Sequence, residues 1–319
     1  MILSSSVARP IEGTSAAVRP VPRVEWPTLL VGVAALSAWG SVVVSTRQLG
    51  PVAATVMLGV VLAWWGSFQH EVIHGHPTRS QVLNDLLGFV PLNPWLPYLD
   101  YKTNHLAHHL NDNDHLTNPF HDPEAWYQTA DAQSRRSAVS RVLFSANRTL
   151  LGRLTVGPGL FAAGYLFSQF RRTDRLRTIA VWVPHLVASC AVLWLATGLG
   201  HIPMWAYPIS MYLAVSLTFL RSFAEHRYEP TGYPRTAVVE CGRFWSLLFL
   251  NNNLHLAHHE RAGVPWYQLP ELARTTEAAA RASIGAGHYP GGYFEVARRY
   301  ALRPFLPLVH PDDPSSPRP

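Results

Sequence analysis

The sequence predicts an all-α integral membrane protein, with four transmembrane helices in two hairpins beneath a cytoplasmic helical cap that carries a histidine-rich site. Three observations lead there. Charged residues make up 14% of the chain and hydrophobic residues 48%, whereas an ordinary soluble domain is roughly 25% charged. Four apolar stretches, residues 28–44, 52–68, 178–199 and 204–220, reach the length of about 17–25 residues that a bilayer-spanning helix needs. The 16 histidines gather mostly beside the ends of those stretches.

Taken in order, residues 1–25 mix Ser, Pro, Ala and scattered charge without apolar periodicity and read as a flexible tail. The apolar start is too short for the core of a secretory signal. Residues 26–303 form the membrane domain. The joints at 45–51 and 200–203 are short, so each pair of spans is a hairpin. Between the hairpins, residues 83–98 and 157–170 are apolar but broken. Pro91, Pro94 and Pro97 prevent the first from spanning as one helix. Trp95, Tyr98 and Tyr101 suit the membrane interface instead, as do residues 244–250. Residues 304–319 are Pro-rich and read as an irregular tail.

Basic residues set the orientation. Arg9, Arg19 and Arg23 precede the first span, a long run from Arg79 to Arg177 lies between the hairpins, and Arg221, Arg227, Arg235 and Arg243 follow the fourth. The hairpin joints hold only Arg47, so both termini and the central segment are expected in the cytoplasm. The net charge of +6 is spread along span flanks rather than in a stripe interleaved with aromatics, which excludes nucleic acid as a partner. Cys190 and Cys241 are too far apart in sequence, and Cys190 too deep in an apolar run, for a disulfide or a thiolate metal site. A metal here must be held by His and carboxylate.

The histidines fall into four groups. His70 and His74 form H-x-x-x-H at the end of the second span. His105, His108 and His109 form H-x-x-H-H, and His255, His258 and His259 repeat it within the same five residues, His-Leu-Ala-His-His. His226 follows the fourth span. Residues at i, i+3 and i+4 share one helix face, so each group aims its imidazoles in one direction. Neutral imidazole suits iron, copper, zinc and nickel. Nine imidazoles exceed one tetrahedral metal and suit two metals of higher coordination number. Glu71, Glu225, Glu260, Asp112 and Asp114 are candidates to accept the second ring N–H of such ligands. Asn251, Asn252 and Asn253 offer a hydrogen bond to an imidazole or a bound water, or a turn. His76, His115 and His121 lie off the pattern; His185 and His201 lie far from it; His288 and His310 read as surface residues.

This set of motifs resembles the membrane fatty-acid desaturase/hydroxylase superfamily, and among its members the stand-alone bacterial type without a fused cytochrome b5. The resemblance covers residues 69–270 and the spans before them. It implies an oxygen-dependent di-iron oxidase acting on unactivated C–H bonds of a lipid or fatty acyl chain. Desaturation is the first expectation; hydroxylation or monooxygenation of a hydrocarbon or specialised metabolite is the second. The implied ligands of the two Fe ions are His70, His74, His105, His108, His109, His226, His255, His258 and His259. Molecular oxygen would be co-substrate, a separate ferredoxin, rubredoxin or cytochrome b5 type protein the electron donor, and the bacterial inner membrane the location. Ser222 stands where acyl-CoA desaturases carry an Asn that supports a bound water.

Three rival patterns are weaker. His70-Glu71-Val72-Ile73-His74 fits the H-E-x-x-H of zinc proteases, but leaves six clustered histidines unexplained. A metal transporter needs ionisable groups along its spans, and here His185 is the one ionisable ligand inside them. His288-Tyr289-Pro290-Gly291-Gly292 approaches the haem motif of cytochrome b5 with one residue inserted, and residues 293–319 are too few for that domain.

Overall fold

The structure is a computed structural model and describes residues 20–110, 115–229, 235–274 and 287–314. Helices α1 (Trp26–Val44) and α3 (Pro51–Ile73), joined through the one-turn α2 (Thr46–Leu49), make the first hairpin. Between the hairpins come α4 (Gln81–Gly88), α5 (Tyr98–Leu110), α6 (Ala130–Ser134), α7 (Ala138–Ala146), α8 (Leu150–Thr155) and α9 (Gly157–Arg171). The second hairpin is α10 (Arg175–Trp194), extended by a π turn (Leu195–Leu199), and α11 (Ala206–Ser222). The chain closes with α12 (Arg243–Leu248), α13 (His255–Glu260) and α14 (Gly292–Tyr300). One short parallel pair, β1 (Val238–Val239) with β2 (His288–Tyr289), departs from the expected all-α character. Polar side chains start many of the cap helices: Ser80, Thr129, Ser137 and Thr149 each accept from a backbone N–H of the first turn.

Among the described residues, three helices are long and apolar enough to cross a membrane: α1, α3, and α10 with its π turn. The fourth expected span is present as α11, but with 17 residues. That is about 26 Å of helix, against a hydrocarbon core of about 30 Å. Its apolar run also carries Ser210, Ser216 and Arg221.

Helix α3 is the centre of the bundle, with α1 on one side and α11 on another. Lipid gives no hydrophobic driving force between helices, so close approach and hydrogen bonds must hold them. A Cβ on Gly59 would stand 2.8 Å from Leu213 Cβ, and one on Gly32 would stand 2.7 Å from the Phe68 ring. Ser210 Oγ donates to the Thr55 carbonyl at 2.9 Å. Trp39 Nε1 donates to the Tyr207 hydroxyl at 3.1 Å, and that hydroxyl donates to the Leu92 carbonyl at 2.8 Å. Helix α10 stands further out, with Ile179, Val183, Val187 and Trp194 exposed, a face suited to lipid.

The C-terminal end of α3 is tied to the cap helices through its polar side chains. Trp65 Nε1 donates to Val90 O at 3.0 Å, Ser67 Oγ to Leu248 O at 2.8 Å, and Gln69 Nε2 to Gly88 O at 2.7 Å. These bonds fix α4 and α12 against the helix that carries the first histidine motif.

Four expectations need correction. Residues 157–170 are not broken: α9 runs through Gly159 and Gly164, because Pro158 sits in its first turn, where no N–H is needed. Glu25, the last residue of the expected N-terminal tail, is buried. Its backbone N–H donates to Pro77 O at 2.9 Å. Residues 304–314 of the expected C-terminal tail are docked against the cap rather than loose. Gln128 N donates to Leu308 O at 2.8 Å and His310 N to Gln128 O at 3.0 Å, which buries His310 at 1% exposure instead of leaving it on the surface. His288 lies in β2 and pairs with Glu240 at 2.8 Å.

Candidate metal centre

Four separate segments deliver the nine motif histidines to one place. His70 is in the last turn of α3 and His74 is its C-terminal cap. His105, His108 and His109 lie on the last turns of α5. His255, His258 and His259 lie on α13. His226 follows α11, held by an isolated bridge to Thr236. Two groups of four have a nitrogen from each ring within 4.8 Å of all the others: His70, His74, His105 and His258, and His108, His226, His255 and His259. His109 stands between them, its Nε2 3.1 Å from that of His258 and its ring 4.3 Å from that of His259.

Apart from His70, whose Nε2 faces Asn252, the ring nitrogens that approach one another are Nε2. His74 and His105 approach at 3.0 Å, His108 and His226 at 3.1 Å, His226 and His255 at 2.9 Å, and His255 and His259 at 3.0 Å. The opposite nitrogens of three rings are seen tied back. His108 Nδ1 donates to Asp122 at 2.8 Å, His105 Nδ1 to Glu124 at 3.0 Å, and His255 Nδ1 to Asn252 Oδ1 at 2.9 Å. A proton placed on Nδ1 leaves Nε2 as a bare lone pair. Burial, then crowding by neighbouring imidazoles, holds His255, His258 and His259 well below the usual histidine pKa. Burial also lowers His105 to about 4, against the pull of Glu124. These rings are therefore neutral at pH 7, and lone pairs facing one another at such distances need a cation between them.

The donor set fits metal ions of the borderline class. Two nitrogens bound at right angles, each at roughly 2.1 Å from one cation, lie about 3.0 Å apart. The observed 2.9–3.1 Å approaches match that separation. All-imidazole donors exclude Mg and Ca, which want oxygen. Two groups of four, with a ninth ring between them, have room for two ions.

The polar residues around the rings divide by task. Asp122 and Glu124 orient His108 and His105, and the sequence reading missed both. They sit in the loop after α5, where acidic residues abound and no spacing separates them from Asp112 and Asp114, which lie outside the described residues. Burial would raise the Glu124 carboxyl; the imidazoles around it, His105 first, outweigh this and hold it below the usual carboxylate range. Glu225 lies 3.6 Å from His255 Nδ1 and 3.2 Å from Arg221. Burial raises its carboxyl to about 7, against the pull of Arg221. Asn252 bridges two groups, with Nδ2 3.3 Å from His70 Nε2 as well as Oδ1 on His255. Asn251 occupies a left-handed turn and donates to Trp266 O at 2.9 Å, and Asn253 donates to Val239 O at 2.8 Å.

Glu71 is 3.8 Å from His70 Nδ1, beyond hydrogen-bond reach, and accepts instead from Trp266 N at 2.9 Å. It thereby clamps the loop after α13 onto α3, a role that also leaves it unsuited to the base of a zinc protease. Glu260 is exposed. His76 is bound to Glu25 at 2.6 Å. His115 and His121 stack on each other at the surface, with ring centroids 4.3 Å apart. His185 is buried away from the cluster, hydrogen-bonded to Pro94 O at 2.8 Å.

A cavity of about 640 Å³ reaches the cluster, with His105, His226 and His255 on its wall. Trp95, Tyr101, Trp126 and Phe161 give it an aromatic lining, and Ser222 and Glu225 line it near the histidines. Its size and apolar walls suit a ligand with a hydrocarbon part.

The family model described as fatty acid desaturase matches residues 48–289. Among curated proteins, none matches the chain.

The geometry makes Asp122 the buried anchor of His108. Asp122→Asn should lower the affinity of the purified protein for ferrous ion by about 10–100-fold, the usual cost of losing such a partner. His185→Ala should leave iron content unchanged. Equal iron binding by Asp122→Asn and the parent protein in metal titrations would remove Asp122 from the site.

Proposed function

This chain belongs to the fatty acid desaturase family, and on that footing we propose that it is an oxygen-dependent di-iron oxidase acting on unactivated C–H bonds of a lipid acyl chain, most directly as a desaturase. The observation that carries the reading is the convergence of imidazole nitrogens, one from each ring, in two groups of four. The two irons would be held by His70, His74, His105, His108, His109, His226, His255, His258 and His259. When bound, they supply oxygen activation and removal of hydrogen from a saturated carbon. The protein's own contributions are holding, orienting and enclosing. Asp122, Glu124 and Asn252 fix the imidazoles, and the aromatic cavity lays a chain against the cluster while excluding bulk water.

Hydroxylation by the same site is the second reading. Ser222, standing on the cavity wall where acyl-CoA desaturases carry an Asn, sets the site apart from the acyl-CoA branch. Electrons come from a separate ferredoxin, rubredoxin or cytochrome b5 type donor. Helix α11 is read as a fourth span, with Ser210 bonded to α3 and Ser216 to α8. The arginine pattern puts the termini and the centre on the cytoplasmic side of a bacterial inner membrane.

Turnover of iron-loaded protein in lipid, with a reducing donor and heavy-isotope oxygen, tests the chemistry. A desaturase yields a new double bond and sends the label to water; a hydroxylase retains one labelled oxygen in the product. No oxygen-dependent product from any acyl lipid, with iron bound and donor oxidised, would defeat both readings. Orientation is tested by reporter fusions at Ala130 and Gly200. Ala130 should report inside and Gly200 outside, and an outside signal at Ala130 would overturn the topology.

A further inference from the structure

The cavity has a second, polar end that the chemistry at the histidines does not use. Gln128, Arg136, Phe144 and Asn147 line it. The Arg136 guanidinium lies 3.5 Å from the centroid of the Phe144 ring. Its Nη2 donates to Gln128 Oε1 and its Nη1 to Ser140 Oγ at 3.4 Å, while its buried Nε has no hydrogen-bond partner. The other arginines of the cavity wall have acids: Arg172 holds Asp100 at 3.0 Å, and Arg221 holds Glu225 at 3.2 Å. Among the described residues, no carboxylate pairs with Arg136; burial alone acts on it and lowers its pKa.

A second cation meets the cavity wall at Asn147 and Trp126. Arg153 is 5% exposed, 3.5 Å from the centroid of the Trp126 ring, and its Nε donates to Asn147 O at 3.0 Å. Its Nη1 and the Asn147 Oδ1 are both buried without a partner. Burial alone lowers Arg153 to about 9. Two guanidiniums without acids, Arg136 half-buried on the cavity wall and Arg153 buried beside Asn147, carry a desolvation cost that an anion there would offset. A guanidinium fork matches a carboxylate or phosphate in shape as well as charge. The wall is firm, because Gln128 is bonded through its backbone to the docked C-terminal segment at Leu308 and His310.

We propose that this end seats the anionic head of the substrate, a carboxylate or phosphate on Arg136, so that the site takes anionic amphiphiles whose chains run past Trp126 toward the histidines. The proposal rests on reading the cavity as the substrate chamber, and it deepens that reading by fixing which end of the substrate enters where.

Binding tests it without turnover. Dodecanoate, dodecyl phosphate and methyl dodecanoate are titrated by calorimetry onto the full chain in zwitterionic lipid discs, with partitioning into empty discs subtracted. The parent protein should prefer one or both anions to the ester. Arg136→Gln should weaken the preferred anion by about tenfold to a hundredfold, the cost of a charged hydrogen bond, and leave the ester within about twofold. Arg136→Lys should restore part of the loss. Asn147→Asp, which places a carboxylate beside the guanidiniums, should produce the same loss in a chain that keeps Arg136. If the parent binds ester and acid equally, or Arg136→Gln and Asn147→Asp both bind the anions as the parent does, the proposal is wrong. A chain that discriminates acid from ester yet shows no oxidase activity would uphold this head-group site and defeat only the proposed reaction.

Discussion

Imidazole lone pairs packed toward one another repel, and the fold is organised around holding nine motif rings together. No single segment could do so. The cluster draws on the end of α3, the end of α5, the short helix α13 and the residue after α11, and each is pinned by a bond made elsewhere. Ser67 and Gln69 fix α3 to the cap, Glu71 draws the loop after α13 onto α3, and Asp122 and Glu124 hold the rings of α5 from behind. A cation at the centre converts the repulsion into attraction, so the folded cap and the bound metal stabilise one another.

The bilayer explains why these contacts are polar. Helix α3 meets α11 through Gly59 and a serine-to-carbonyl bond because lipid gives packed helices nothing for merely being apolar. Close approach of α3 and α11 in turn sets where His70, His74 and His226 emerge. The positions of the ligands are thus decided some turns below the site, by residues that never touch it.

Much of this was legible in the sequence because it follows a period. Spacing of i, i+3 and i+4 gave the three motifs, and apolar run length gave α1, α3 and α10. What the sequence hid lacks any period. Asp122 and Glu124 look like other loop acids until the chain turns back on α5. Glu25 with His76 and His310 with Gln128 join residues from the ends of the chain to its middle, so burial there is a tertiary fact that local composition contradicts. Glu71 was misread for the opposite reason: it sits beside His70 in sequence, yet its carboxylate points to a loop at Trp266. Helix α11 shows the limit of hydropathy, since its serines and Arg221 find partners inside the protein.

The most direct measurement is the metal content and electronic state of the purified, iron-loaded chain. Two irons per chain, with Mössbauer and magnetic signatures of a coupled pair ligated by nitrogen, are what the two groups of imidazoles predict. One tightly held zinc ion, or a single uncoupled iron that leaves half of the histidines titratable, would contradict the account at its centre.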